Sequence, residues 1–168
     1  MTISMYAASV PVFKQMLGSL SELLGKAEAH ANEKKIDPSA LLQARLFPDM
    51  FPLTRQIMIA ADFAKGACAR LAGVGVPKYE DTEQSFADLK DRIAKTLAFI
   101  DTLPFSDIDG SEERDITTSA GPHSKTFKGQ KYLLQYALPQ FFFHTTTAYA
   151  ILRHNGVELG KKDFMGKY

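Results

Sequence analysis

Apolar side chains recur at helical spacing along most of this chain. Val10, Phe13, Leu17, Leu20 and Leu24 step by three or four residues and predict a first long helix over about 4–31. Pro11 either opens that helix or kinks it, because proline is tolerated only in a first turn. Ile57, Ala61, Ala64, Cys68 and Leu71 mark a second stripe, predicting a helix from about 50–52 to 71. Its many alanines and Gly66 would let a neighbouring helix approach closely, and the glycines and proline of "AGVGVPKY" end it. Phe86, Leu89, Ile93, Leu97, Ile100 and Leu103 give the clearest stripe, expected to be capped by Asp81 or Thr82 and ended by Pro104. A fourth segment, 131–154, is apolar on nearly every side, which predicts burial on several faces. Pro139 within it marks a kink or an effective start.

The connections are less regular. Asp37 before Pro38 has the form of a helix start, so the 32–52 linker should hold a short turn or two. Residues 104–128 abandon the helical period. Two short alternating runs, "RDITTS" and "SKTFKG", flank "AGPH" and predict a β-hairpin. Four helices of about 20 residues, each about 30 Å long, predict an all-α four-helix bundle with a small hairpin inserted before the last helix. The expected organisation is a single domain over residues 1–168.

Composition narrows the function classes. The chain has 168 residues, 45% hydrophobic, with a net charge of +1 and its basic residues spread out. Nothing in this favours nucleic acid or an anionic membrane. One cysteine, Cys68, precludes a disulfide within the chain and reads as a buried free thiol. No run reaches the roughly 18 apolar residues of a membrane span. The N-terminus lacks the basic and apolar regions of a signal peptide, so the expected location is cytoplasmic.

No phosphate loop, nucleophile elbow, HExxH or CxxC is present. Candidate chemistry concentrates on the second and fourth helices. Gln140 and His144 are four residues apart and share a helical face that Thr147 and Ile151 continue. Gln56 and Asp62 are polar residues in an otherwise apolar segment, with Arg55 beside Gln56. Facing helices of a bundle build metal sites in this way, and His144, Gln140 and Asp62 would suit zinc, nickel, iron or manganese. A glutamine amide is a poor transition-metal ligand, however, and a histidine between phenylalanine and threonine equally fits a hydrogen-bonded core residue. Arg55 requires a carboxylate partner if it points inward, with Asp49, Asp62 and Asp101 in reach, or it binds an anionic ligand. Arg55, Gln56, Thr147 and the loop residue His123 are candidate pocket residues. His30 and His154 read as helix-end histidines.

The segments "PDMFPLTRQ", "DFAKGACARLAG", "LPQFFFH" and "AYAILRHNGV" resemble the DinB/YfiT-like metalloenzyme superfamily, and within it a domain-of-unknown-function branch. The resemblance implies a four-helix bundle, commonly dimeric, with a divalent metal on three histidines: one on helix two and an H-x3-H pair on helix four. It also implies thiol-dependent transferase chemistry, or the use of low-molecular-weight thiols, in some members. His144 stands at the second position of that pair. Gln140 occupies the first, and only Asp62 could ligate near the helix-two position, 59–62. The expectation is therefore a degenerate metal site in a small-molecule-binding or structural homodimer. A metal-dependent hydrolase or thiol transferase using an altered site at His144 is the alternative.

Overall fold

In a computed structural model, residues 3–120 and 123–168 are described, and the side chains of Ala120 and His123 lie outside that description. Four long helical stretches carry the fold. Helix α1 spans Val10–Lys34, α3 spans Leu53–Ala72, and α4 spans Phe86–Asp101. The fourth is continuous from 129 to 154: α6 (Gly129–Tyr132), a π-helical turn (Leu133–Ala137) and α7 (Leu138–His154). Short helices α2 (Pro38–Leu42), α5 (Phe105–Ile108) and α8 (Lys161–Met165) decorate the connections and the C-terminal end.

The bundle packs as a ring. Helix α1 lies against α4 and α7, while α3 lies against the same two. So α1 and α3, consecutive long helices, sit diagonally, and α4 and α7 likewise. This accounts for the two long connections at 35–52 and 102–128. One continuous core runs through all four, including Phe13, Leu17, Leu24, Ile57, Leu89, Ile93, Phe141 and Ile151. Phe13 meets Phe141 edge-on at 4.9 Å across it.

Local sequence explains the helix boundaries. Pro11 sits in the first turn of α1, so it starts the helix and does not kink it. Asp37 accepts a hydrogen bond from Ser39 N at 2.9 Å, the expected cap of α2. The cap of α4 is Ser85, not Asp81 or Thr82. Ser85 Oγ accepts from Asp88 N while Asp88 Oδ2 accepts from Ser85 N, a reciprocal pair that frees Asp81 for an ion pair elsewhere. Pro139 falls in the first turn of α7, immediately after the π turn. A proline ring cannot tolerate a normally placed carbonyl four residues earlier, here that of Gln135, and the wider turn removes the conflict.

The inserted segment holds the expected hairpin. Strand β1 (Asp115–Ala120) pairs antiparallel with β2 (His123–Lys128), with Ile116 opposite Phe127. Ile116 is buried and Phe127 joins the core margin, so the hairpin covers one end of the bundle. The fourth helix departs from expectation. Phe141 is fully buried, but Leu134, Phe142 and Phe143 reach the surface. The helix enclosed on most sides is α3, where 54, 56–58, 60, 61, 64–69, 71 and 72 are all buried. Its alanines permit that close approach.

Candidate functional site

His144 lies on the buried stripe of α7, in step with Phe141, Ala148 and Ile151, and faces α3. Its Nδ1 is 2.7 Å from Gln56 Oε1. Gln56 Nε2 in turn donates to the Phe51 carbonyl at 3.0 Å. That second bond orients the amide: its nitrogen faces Phe51, so its oxygen faces the ring. An amide oxygen only accepts, hence His144 Nδ1 carries the proton and Nε2 carries the lone pair. Burial pushes the His144 pKa below its ordinary 6.5, which keeps the ring neutral at pH 7. No hydrogen bond engages Nε2 among the described residues.

Aromatic rings bracket the imidazole. Phe63 stacks nearly parallel to it at 5.9 Å, and Phe143 meets it edge-on at 5.2 Å. Phe63 continues to Tyr136, and Tyr136 to Phe127 on the hairpin. Phe143, edge-on to the imidazole, is itself 55% exposed, so the cluster reaches the surface through that ring. His144 itself is 7% exposed, so it sits beneath that surface and not in a deep pocket.

The other expected site residues are distributed differently. Gln56 is buried and is the partner of His144. Thr147 is buried one turn further along α7, where its hydroxyl donates to the Phe143 carbonyl at 2.7 Å. Gln140 is half-buried on the preceding turn, and its side chain enters no hydrogen bond among the described residues. Asp62 belongs to another cluster. Both its oxygens accept from Arg92 Nη2 at 3.0 Å, and Oδ1 also accepts from Lys65 at 2.8 Å. Arg55 pairs with Asp81 at 2.5 Å, and not with Asp49, Asp62 or Asp101, because Asp101 is held by Lys14 and Asp62 by Arg92. His123 opens β2, with its side chain outside the described residues.

Arg92 was not legible as a functional position, yet it organises the second cluster. Its side chain is 2% exposed, and Nη1 reaches Glu83 at 2.7 Å and Asp81 at 3.1 Å. Lys65 and Lys95 lie over the Tyr79 ring at 3.7 and 4.3 Å. Together these contacts fasten the 73–85 connection to α3 and α4. The one sequence signal was an arginine at the i+3 position from Leu89, on the apolar face.

The residues present do not fit a three-histidine metal centre. The helix-four pair is reduced to one imidazole and one amide. Asp62 is neutralised by Arg92 and Lys65. No group of three or more His, Cys, Asp or Glu side chains among the described residues is placed to hold a metal ion. Cys68 supplies no thiolate: burial pushes its pKa up to about 12.

These features define a helical bundle of the DinB-like kind. The chain belongs to the family described as domain of unknown function DUF1993, whose model matches residues 5–165. A crystal structure of a DinB family member protein from Shewanella denitrificans is 41% identical, covering 97% of this chain and 92% of that one, with a TM-score of 0.89. A search among curated proteins finds no match. No helix among the described residues is long and apolar enough to cross a membrane.

Proposed function

We propose that this protein is a metal-free binding module, and that the aromatic surface over His144 joins two copies into a homodimer. The observation that carries the reading is that Asp62 is held by Arg92 and Lys65 and leaves His144 without a second ligand, while the Gln56 amide, fixed by Phe51, holds the ring by its Nδ1 proton. That hydrogen bond makes the histidine an oriented neutral acceptor. Against the imidazole, Phe143 leaves a large apolar ring exposed on the outer face of α7, with Phe142 exposed beside it in the chain. Aromatic residues beside a single hydrogen-bonding group are typical of the buried centre of an interface. A second copy is the favoured occupant because bundles that this chain resembles are commonly dimeric. His144 Nε2 would accept a hydrogen bond at that interface, or from a small ligand enclosed by it.

Light scattering at micromolar concentration tests this. The expected mass is twice 18.6 kDa, returning to one copy in Phe143→Glu. A wild-type monomer would contradict the homodimer.

The lone pair on Nε2 favours one second reading, a metal-dependent hydrolase or thiol transferase with His144 as one ligand. It requires stoichiometric uptake of zinc, nickel, iron or manganese by protein purified without chelator. Uptake below a tenth of an equivalent would exclude that reading.

A further inference from the structure

A cleft of about 730 Å³ lies on another part of the molecule, between the N-terminal residues 3–8, the 109–112 loop and the start of the fourth helix. Its volume is in the range of small-molecule sites. Met5, Leu133 and Leu134 give it an apolar wall, and Asp109 and Glu112 supply carboxylates. No lysine, arginine or histidine is among the described residues lining it. Asp109 Oδ1 is buried without a hydrogen-bond partner among the described residues, and so is the neighbouring Ser111 Oγ, in a residue 1% exposed. A buried acceptor left unpaired is costly, and a carboxylate oxygen can only accept.

The loop is rigidly built. Gly110 adopts φ +79°, which turns the chain. Ser111 N donates to the Ile108 carbonyl at 3.3 Å, and Gln130 N donates to the Glu112 carbonyl at 3.0 Å. Gly129 packs so closely that an added Cβ would lie 2.0 Å from the Ser111 carbonyl oxygen. The backbone that carries Asp109 and Glu112 is therefore held in place before anything binds, which lowers the ordering cost of binding.

We infer that this cleft binds an amphiphilic organic cation, its ammonium on Asp109 and Glu112 and its apolar chain along Met5, Leu133 and Leu134. A bare divalent ion fits less well. It needs about six oxygen ligands, and half of this cleft is hydrocarbon. A protonated amine supplies a positive charge where Asp109 and Glu112 line the cleft and an apolar body where the wall is apolar. An anion meets only like charge.

The test is an NMR titration of the labelled protein with hexylamine, hexanoate and hexanol. Hexylamine at neutral pH should shift the amides of residues 4–8, 109–112 and 130–134. Hexanoate should leave them unmoved, and hexanol should bind at least about tenfold more weakly. Asp109→Asn should weaken hexylamine about tenfold, while Asp107→Asn, outside the cleft, should not. Thermal unfolding confirms that each variant is folded, and Glu112→Gln takes over the test should Asp109→Asn not fold, with a loss of several-fold. Equal shifts from hexylamine and hexanoate, shifts located elsewhere, or unchanged binding in a folded carboxylate variant would overturn the inference.

Discussion

Gln56 offers His144 an oxygen and offers Phe51 a nitrogen, and this division sets the chemistry of the ring. Replacing it with leucine removes the acceptor and leaves the Nδ1 proton buried and unpaired. Gln56→Leu should lose about 1–3 kcal/mol of stability, read as a lower denaturant midpoint at unchanged slope. The depressed pKa of His144 also has a pH signature. Between its folded value and the ordinary 6.5, the unfolded chain binds more protons than the folded one. Stability is therefore full above 6.5 and falls as pH drops below it. Unfolding titrations at pH 7.5 and 5.5 should show a larger loss for wild type than for His144→Asn. At this scale the sequence identified His144, Gln56 and Thr147 as candidates but not the bond between the first two. They are 88 positions apart, and their meeting depends on how α3 and α7 are rotated against each other, which residue spacing does not specify. Arg55 was misassigned for the same reason. Its partner Asp81 lies in a connection whose path periodicity cannot trace.

Two elements show where local rules were enough and where they were not. Pro139 announced an irregularity, and the π turn before it is the consequence. The hairpin was legible because alternation and a Gly-Pro dipeptide are local sequence signals; that dipeptide itself lies outside the described residues. The exposure of Phe142 and Phe143 was not, because hydrophobicity alone cannot distinguish a core face from a solvent-facing one. The connection over 73–85 read only as a helix stop and a cap, although Arg92 binds it through Asp81 and Glu83 while holding Asp62 on α3. Arg92→Met would leave Glu83 nearly buried without its cation. Since Asp62 and Asp81 remain largely exposed, the expected loss is about 3 kcal/mol, at the low end for a broken buried pair. Faster amide exchange over 73–85 should accompany it. Gly129→Ala should be damaging too, by about 1–3 kcal/mol, because its Cβ meets backbone and the loop cannot yield easily. Thermal unfolding measures that loss.

For the whole molecule, membership of the DUF1993 family and the likeness to a DinB family member establish the bundle. The order of helical stripes was sufficient to anticipate that architecture, although not its diagonal packing or the central place of α3. The account of function turns on His144 being a hydrogen-bonded neutral ring in a site without a metal. Nitrogen-15 NMR of its imidazole, before and after one equivalent of zinc, tests that directly. The account predicts a protonated Nδ1, an unprotonated Nε2 and no movement of either signal on adding zinc. A stoichiometric zinc-induced shift of Nε2, or a proton found on Nε2 and not on Nδ1, would contradict it.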